Sequence, residues 1–380
     1  MENDNNGYAL NETETGAASC CCEKPQEQTY QRSENLHWII GAINTCAGYI
    51  PKVSTVLLLD DKIGVVKTRL GIGRMQYSLA PGLYAVGSPG TKSPVLVSAN
   101  YKLSFDVLRS NLSGRDAWIL VLDTKGINVW CAAGKGTFGT EEIVRRIEST
   151  RLSEIVAHKT IIVPQLGAPG VSAQEVQRGS GFRVKYGPVR AGDINAYIDA
   201  GMKATAEMRR VNFTFRDRIV LIPVEFMIGM KLAFIAAVIF LILSGLSRGG
   251  YSIGRVAGIG GIAAALIFIS FLSGVALTPA LLPWLPGRAF SVKGALAGIA
   301  IAAAVEVYAF AHPAILGSWL SAAAWLLVIP AISSFAAMNF TGASTYTSLS
   351  GVKKEMNIAM PAQAISAGAG LILWIAGRFV

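Results

Sequence analysis

The sequence predicts an α/β domain with a Rossmann-like, largely parallel sheet, followed by an all-α bundle of about five transmembrane helices. The chain is 52% hydrophobic but only 15% charged, whereas a soluble domain usually carries about 25% charged residues. Long apolar runs dominate from Phe226 onward, while charged residues occur at ordinary density before about Arg218. We therefore predict three parts: a disordered tail in residues 1–44, an α/β domain in 45–212 and a membrane domain in 213–380.

The amino-terminal tail is polar, and residues 1–35 show no periodicity, which is typical of disorder. Its run Cys20-Cys21-Cys22 suits a soft metal ion because thiolates prefer such ions, but it equally fits a tail without fixed geometry. The first residues contain no basic segment followed by an apolar one, so we expect no cleavable signal peptide and an α/β domain in the cytoplasm. The five cysteines lack the paired spacing of a disulfide framework, which agrees with a reducing compartment.

The second half of the chain contains five apolar stretches, each long enough to cross about 30 Å of hydrocarbon. Basic residues precede the first stretch and separate the fourth from the fifth, so the positive-inside rule predicts a cytoplasmic amino terminus. The carboxy terminus then lies outside the cytoplasmic (inner) membrane. The net charge of +10 is explained by these flanking basic residues, and we expect contact with lipid rather than with nucleic acid. The predicted spans are residues 226–246, 255–277, 292–311, 314–337 and 360–377.

Two features of the membrane half have open roles. Glu306 lies inside the third predicted span, where a carboxylate is either functional or a protonated group hydrogen-bonded within the bundle. The polar segment from Asn339 to Met356 is predicted to be a cytoplasmic loop, either a docking surface or a linker. Because the spans hold few charges, we expect the bundle to be an anchor and docking platform rather than an ion pathway.

Strands and helices alternate in the predicted α/β domain. The sequence predicts strands in residues 53–59 and 65–73, and an apolar run in 94–100 that ends in a polar residue. A helix is predicted in 101–109, with Leu103, Val107 and Leu108 on one face. In such domains ligands bind at the carboxyl ends of the strands. The remaining predictions are buried strands in 117–123, 159–165 and 181–187, and helices in 140–147 (N-cap Thr140) and 193–202.

The segment from Asp123 to Ile147 has the clearest chemical content, and its residues allow three interpretations. Gly134, Gly136 and Gly139 match G-x-G-x-x-G before a predicted helix, which indicates dinucleotide binding if the preceding INVWCAA is a strand. The acidic residue that this motif needs about 20 positions later is ambiguous. A phosphate-binding P-loop is excluded, because a glycine follows the lysine where Ser or Thr is required.

The other two interpretations concern Cys131. This cysteine lies between the bulky Trp130 and the small pair Ala132-Ala133, so a large planar group can approach its thiol closely. Lys135 follows one helical turn later, and a nearby cation lowers the pKa of a thiol, which favours a reactive or metal-ligating cysteine. Alternatively, Cys131 is an ordinary small core residue. The residues alone leave all three interpretations open.

The octapeptide NVWCAAGK, Asn128 to Lys135, resembles the cap-helix signature of the HgcA family of mercury-methylating corrinoid proteins. The surrounding region resembles the corrinoid domain of the large subunit of the corrinoid iron–sulfur protein. The segments SPVLVSANYKLSFDVLR, IIVPQLGAPGVSAQEV and GFRVKYGPVRAGDI resemble the globular domain of the family, and NFTGASTYTSLSGVKKEM resembles its membrane half. The resemblance covers about residues 45–380 and leaves the amino-terminal cysteines outside.

This resemblance implies a corrinoid-dependent methyltransferase of anaerobic one-carbon metabolism. Its cofactor would be a cobalamin-type corrinoid, and it would transfer the methyl group on cobalt to inorganic Hg(II), forming methylmercury. Cys131 would be the catalytic residue and the lower axial cobalt ligand, because a thiolate donates electron density that favours release of a carbanion-like methyl group. The implied cofactor-binding residues are those of the cap and of two glycine-rich turns: Asn128, Val129, Trp130, Cys131, Ala132, Ala133, Gly134, Lys135, Gly167, Gly170 and Gly187.

The resemblance also implies partners. The sequence contains no cysteine spacing typical of an iron–sulfur cluster, so electrons that regenerate cobalt(I) must come from another protein. The family uses a separate ferredoxin-like iron–sulfur protein, HgcB, as electron donor and a folate-linked methyl donor system. Two alternatives stay open: a membrane-anchored corrinoid methyl carrier serving another acceptor, and a nucleotide-binding sensor domain on a membrane protein.

Overall fold

The computed structural model describes residues 36–313, 315–343 and 349–380. The run Cys20-Cys21-Cys22 lies outside these residues, and so does most of the predicted tail. Within the described part, an α/β domain with a seven-stranded sheet precedes a helical region with five candidate membrane spans, which confirms the predicted fold class. The strands are β1 (Ile39–Thr45), β2 (Gly48–Val53), β3 (Gly82–Val86), β4 (Val95–Ala99), β5 (Ala117–Leu122), β6 (Thr160–Val163) and β7 (Arg183–Tyr186).

The sheet has the strand order β1-β2-β3-β5-β4-β6-β7. Strands β5, β4, β6 and β7 are mutually parallel, whereas β3 is antiparallel to β5, and β1 pairs with β2 as an antiparallel hairpin. The chain runs from β4 to β5 on one side and then returns to place β6 on the other side of β4. The direction of winding therefore reverses between β4 and β6, and such a switch point opens a crevice at the carboxyl ends of the strands.

Helices cover both faces of the sheet because its central strands are apolar on both sides. In β5, for example, Leu120 packs in one buried cluster with Phe138, and the adjacent Ile119 packs in the other with Phe105. The helices of this domain are α1 (Leu59–Arg69), α2 (Lys102–Ser110), α3 (Val129–Lys135), α4 (Thr140–Ser149), α5 (Leu152–Ile155), α6 (Ala173–Ser180) and α7 (Ile194–Asp199).

Three local predictions are wrong. Strand β1 begins at Ile39, so the ordered domain starts inside the predicted tail. The strand expected in 53–59 is mostly the loop between β2 and α1, and the strand expected in 65–73 is the second half of α1 with the turn that follows it. Their apolar runs suggested strands, but Asp61 in the first turn of α1 is buried in contact with Lys102, and this tertiary contact favours the helix. Helix α4 begins where expected, but its N-cap is Gly139 rather than Thr140.

The five candidate spans are long and apolar, and they pack through small residues. The Cβ of an added side chain at Gly274 would lie 2.3 Å from the Ser333 carbonyl oxygen, and one at Gly298 would lie 2.6 Å from the Pro330 Cα. Close approach of this kind is how helices associate in lipid. The spans are Phe215–Leu243, Ile253–Ala280, Phe290–Ala311, Trp319–Phe340 and Gly351–Ala376.

The polar segment expected as a loop is mostly helical. One helix, Trp319–Ala343, enters it and another, Leu349–Ala376, leaves it, while residues 344–348 lie outside the described part. The side chain of Glu355 accepts a 2.6 Å hydrogen bond from the backbone N–H of Ser291 at the start of the third span. This hydrogen bond therefore joins the fifth span to the third.

At Glu306, one carboxyl oxygen is enclosed without a hydrogen-bond partner among the described residues, so the hydrogen-bonded interpretation is not supported for that atom.

Candidate functional site

The segment around Cys131 is a short, capped helix, as the resemblance implied. Helix α3 spans Val129–Lys135, and the Asn128 side chain accepts a 3.0 Å hydrogen bond from the backbone N–H of Cys131. The helix ends at Gly136, whose φ of 80° is accessible mainly to glycine. Asparagine at an N-cap satisfies a backbone donor that the helix cannot satisfy itself. Asn128 thus holds the backbone of the residue that carries the thiol.

The loop before this helix is held by a buried asparagine at the end of β4. The Asn100 side-chain oxygen accepts hydrogen bonds from the backbone N–H groups of Thr124 and Gly126, both at 3.0 Å. The Thr124 hydroxyl donates to the same oxygen at 2.8 Å and contacts the Ile127 carbonyl oxygen at 2.7 Å. These bonds fix the connection from β5 to α3. Asn100, which directly follows β4, therefore sets the direction in which helix α3 leaves the sheet.

The back of the cap helix packs on the α/β core. Ala132 is fully buried and Ala133 is 6% exposed, so neither faces an open space. A Cβ on Gly170 would lie 2.3 Å from the Phe138 carbonyl oxygen and 3.1 Å from the Cα of Ala133, and one on Gly167 would lie 2.4 Å from the Phe138 ring. Because Gly170 has no side chain, the cap helix can pack closely against it, and Gly167 likewise leaves room for the Phe138 ring; neither glycine lines the cavity on the other side of the cap helix.

The front of the cap helix lines a cavity of about 410 Å³, which is within the usual size of a small-molecule site. Of the predicted cofactor contacts, five line this cavity: Asn128, Val129, Trp130, Cys131 and Gly187. Gly134 and Lys135 are exposed and lie outside its lining. The structure therefore brings the thiol together with the first half of the cap and one of the two predicted turns. Whether any of these residues contacts a cofactor stays a prediction.

The cavity occupies the switch point of the sheet. Its floor contains residues 96–98 of β4 and Ile162 of β6, the two strands between which the winding reverses. Pro164 and Leu166 follow β6, and Gly187 and Pro188 follow β7, so the carboxyl ends of neighbouring strands supply the wall. This is the position where ligands bind in open α/β sheets.

Helix α2 forms another wall, with the face that carries its predicted apolar stripe. Leu103, Val107 and Leu108 line the cavity, and Val107 is 48% exposed. The residues that α2 buries are instead Phe105 and the charged Lys102, Asp106 and Arg109. The predicted apolar stripe exists, but it faces the open space in front of Cys131.

The charged face of α2 is buried because its Lys102, Asp106 and Arg109 form one buried ion cluster with Asp61 of α1. Lys102 contacts both carboxylates, at 2.9 Å to Asp61 and 2.6 Å to Asp106. Arg109 also contacts both, at 2.9 Å and 2.7 Å. The formal charges cancel, as a buried group of this kind requires. The cluster joins α1 to α2 and so sets which face of each helix is turned outward.

The start of the first candidate span also lines the cavity. Val220, Leu221 and Val224 line the same space as Cys131. Leu221 caps helix α9 (Ile222–Leu243), which follows the short α8 (Phe215–Ile219) in this span. The membrane half thus contributes side chains to the candidate site. Composition predicted that the membrane half is only an anchor and docking platform, whereas its first residues also line the candidate site.

Two arginines bring positive charge to the otherwise apolar lining. Arg69 ends α1, Arg74 lies in the following turn, and both line the cavity. The Nε of Arg69 is buried without a hydrogen-bond partner in the described part of the chain. Burial lowers the pKa of Arg69, and the nearby charge of Arg216 acts in the same direction against the opposing effect of Tyr101. An unpartnered guanidinium of this kind is suited to an acceptor oxygen on a ligand.

The dinucleotide interpretation fails on context. The residues before Gly134 are the helix α3 and not a strand, and Gly136 ends that helix. Gly139 is the N-cap of α4, and none of the three glycines lines the cavity. The motif therefore terminates one helix and begins the next, and the strand–turn–helix arrangement that a dinucleotide site needs is absent here.

Part of the chain is similar to subunits of acetyl-CoA synthase and of acetyl-CoA decarbonylase/synthase complexes. Residues 73–198 match the family CdhD, described as the CO dehydrogenase/acetyl-CoA synthase delta subunit. The acetyl-CoA decarbonylase/synthase complex subunit gamma of Archaeoglobus fulgidus is 31% identical over 128 residues, and that of Methanosarcina acetivorans is 32% identical over 130 residues. Each alignment covers 33% of this chain and 27% of the relative, so the chain spans about a quarter of these relatives.

The family match includes the cap helix and most of the cavity lining. The match agrees with the expected likeness to the large subunit of the corrinoid iron–sulfur protein. It covers residues 73–198, whereas the resemblance described above covers about residues 45–380. It begins after α1 and ends before the first membrane span.

Sequence reasoning missed several residues of this site. The signal for Asn100 was present, because a polar residue directly after a buried apolar strand marks the carboxyl edge of a sheet. No sequence pattern indicated a role for Arg69 or Arg74, because Arg69 lies inside the predicted strand 65–73 and Arg74 lies directly after it. Val220, Leu221 and Val224 were indistinguishable from the rest of an apolar span.

Proposed function

We propose that this protein is a membrane-anchored, corrinoid-dependent methyltransferase that transfers a methyl group to inorganic Hg(II). The observation that carries the proposal is the position of Cys131. Its half-buried thiol lies on a capped helix and lines the cavity at the switch point of the sheet. The proposal also rests on the resemblance of NVWCAAGK to the mercury-methylating signature and on the match to an acetyl-CoA synthase family.

The residues that line the cavity fit a corrinoid. A corrin is a broad, flat macrocycle with amide groups around its rim and, in cobalamin-type forms, a phosphate in its nucleotide tail. The apolar residues of α2 and of the first span suit the flat face, and the Arg69 and Arg74 side chains suit the amide and phosphate oxygens. The Cys131 thiol is the sulfur that a soft metal ion prefers.

Each side chain would have a defined task. A bound corrinoid would supply the cobalt that carries the transferable methyl group. Cys131 would lose its proton on coordination and offer its thiolate to the cobalt. Asn128 would keep that sulfur in place through its hydrogen bond to the Cys131 backbone. The side chains of Val129, Trp130 and Leu221, which line the cavity with Cys131, would limit access of water to its thiolate.

The resemblance supplies the proposed partners. We place a ferredoxin-like iron–sulfur protein, HgcB, as the electron donor, and a folate-linked system as the source of methyl groups. The α/β domain would face the cytoplasm, with the carboxy terminus outside the membrane, because basic residues flank the cytoplasmic ends of the spans. The polar segment around Lys353 and Lys354 would then lie on the same side as the α/β domain.

The test uses the full chain in detergent with a methylated corrinoid. Absorption spectra would report corrinoid binding and the axial ligand, and the release of methylmercury after addition of Hg(II) would report transfer. We expect Cys131→Ala to abolish methylmercury formation and to alter the spectrum. Cys46→Ala provides a matched control, because Cys46 is exposed and lies outside the cavity lining. Normal transfer by Cys131→Ala would refute the axial-ligand role, and failure of the wild type to bind any corrinoid would refute the function.

The relatives favour a second candidate, a corrinoid methyl carrier for another acceptor, because they are subunits of an acetyl-CoA decarbonylase/synthase complex. The two candidates differ only in the acceptor. If the protein binds a methylated corrinoid through Cys131 but retains its methyl group in the presence of Hg(II), the second candidate is correct.

A further inference from the structure

Helix α1 turns its apolar side chains away from the protein. Leu59, Ile63, Val66 and Leu70 are spaced so that they form one stripe along the helix. Leu59 is 70% exposed and Val66 is 56% exposed, and no described element covers the stripe. An exposed stripe of large apolar residues on a folded domain marks a surface that contacts something else.

The opposite face of α1 explains this orientation. Asp61 belongs to the buried ion cluster, and Thr68 on the same side is 1% exposed. Between them, a Cβ on Gly64 would lie 2.4 Å from the Tyr77 hydroxyl, so only glycine allows this close packing. The helix is therefore held by its small and charged residues, and its apolar residues are left facing outward.

Two lysines flank the stripe, one on each side. At 3.6 residues per turn, Lys62 and Lys67 project to either side of the line through Ile63 and Val66. Both lysines are exposed, and no ion pair to either occurs within the described residues. Apolar residues bordered by lysines are typical of a helix lying in a membrane surface, where the apolar side chains enter the acyl region and the ammonium groups reach the phosphates.

The end of α1 is also close to the membrane half. Arg69 in its last turn lines the same cavity as Val220, Leu221 and Val224 at the start of the first span. Ile72 and Met75, which follow α1, are 57% and 63% exposed. The apolar stripe is thus continued by exposed apolar residues beside the point where the chain enters the membrane.

We propose that α1 lies on the bilayer surface beside the first span and binds anionic phospholipids. The stripe of Leu59, Ile63, Val66 and Leu70 would enter the headgroup–acyl boundary, and Lys62 and Lys67 would contact lipid phosphates. This second attachment fixes the α/β domain against the membrane and holds Arg69 at the cavity. The inference depends on the membrane spans and not on the identity of the cofactor.

The test measures the environment of the stripe in the full chain. The native cysteines are replaced by serine, and a nitroxide label is placed at Ile63→Cys, Val66→Cys or, as a control, Ile40→Cys. Ile40 is 59% exposed on the edge strand β1 and serves as an equally exposed apolar position. Each protein is reconstituted in nanodiscs of phosphatidylcholine with or without phosphatidylglycerol, and collision rates with oxygen and a polar nickel complex are compared.

We expect the oxygen-to-nickel ratio at Ile63 and Val66 to exceed that at Ile40 several-fold in the anionic bilayer. Adding Lys62→Gln and Lys67→Gln should reduce this ratio towards its value in phosphatidylcholine alone. Equal nickel access at all three positions would show that the stripe faces water, and exclusion of both reagents would show that it faces protein, such as a second copy of the chain. Either result would overturn the proposal. Thermal unfolding of each labelled protein confirms that the fold is retained.

Discussion

The side chain of Asn128 accepts a hydrogen bond from the backbone N–H of Cys131 at 3.0 Å, and this bond ties the thiol to the start of its own helix. Helix α3 has only seven residues, too few to be stable alone. Its position therefore depends on this cap, on the Asn100-centred loop before it and on the glycines packed behind it.

Removal of the cap should weaken corrinoid binding. Loss of an asparagine N-cap costs about 1 kcal/mol, which corresponds to roughly a fivefold change in an equilibrium constant. We expect Asn128→Ala to reduce the affinity for corrinoid by about that factor, measured by absorption titration. Asn128→Asp keeps an acceptor for the Cys131 N–H and should remain close to wild type. Equal affinity of the Ala and wild-type proteins would show that the cap does not position the ligand.

Two glycines near the cap should respond oppositely to alanine. A Cβ at Gly170 would meet the Phe138 carbonyl oxygen at 2.3 Å, whereas one at Gly134 would have nothing within 4 Å. Gly170→Ala should lower stability by about 1–3 kcal/mol and weaken corrinoid binding, because the cap helix must move. Gly134→Ala should be neutral or stabilising by up to about 1 kcal/mol, because alanine favours the helix. Thermal unfolding distinguishes these results, and a loss of corrinoid affinity in Gly134→Ala alone would instead indicate a direct cofactor contact.

The first span should contribute to corrinoid binding. Leu221 lines the cavity, whereas Ile228 on the same helix is 60% exposed on the outside of the bundle. Leu221→Ala should weaken corrinoid binding several-fold, and Ile228→Ala should not.

The α/β domain cut after Arg218 should likewise bind corrinoid more weakly than the full chain, since it lacks Val220, Leu221 and Val224. Equal affinity of the cut and full-length proteins would exclude a role for the span in binding.

The buried ion cluster should make the α/β domain sensitive to acid. Burial alone would raise the pKa of Asp61, but hydrogen bonds from Lys102 and His37 outweigh it and lower the pKa well below its usual range. Asp61 is therefore ionised in the folded protein at pH values where the unfolded chain, with a pKa of about 3.9, becomes protonated. Its stabilising contribution is complete above about pH 5 and falls progressively as the pH drops below about 4.

Asp61→Asn should remove this contribution to the pH dependence. It should also destabilise the protein at neutral pH by about 3–5 kcal/mol, because two buried cations then share one carboxylate. Asp60→Asn is the matched control, since Asp60 is exposed in the same helical turn. Thermal unfolding between pH 7 and 3 gives both quantities, and a slope in Asp61→Asn identical to that of Asp60→Asn would contradict the role assigned to Asp61.

The sequence by itself determined the α/β and helical halves of this protein and its candidate spans, and it predicted the segment around Cys131 as the candidate site. Apolar runs of this length have few alternatives to a membrane. The buried strands β4 to β6 were equally clear from their continuous apolar residues. The octapeptide around Cys131 singled out the thiol by its resemblance to a cap-helix signature, since its residues alone left three interpretations open.

Only the tertiary structure decided which faces of α1 and α2 are buried. Periodicity assigns the apolar stripe of a helix to the core, but Asp61, Lys102, Asp106 and Arg109 neutralise one another only when the two helices meet. That contact between residues distant in sequence turns Leu103 and Val107 towards the cavity and Val66 outward. The cavity wall from the first span has the same origin, since no local pattern shows which apolar residues of a span touch another domain.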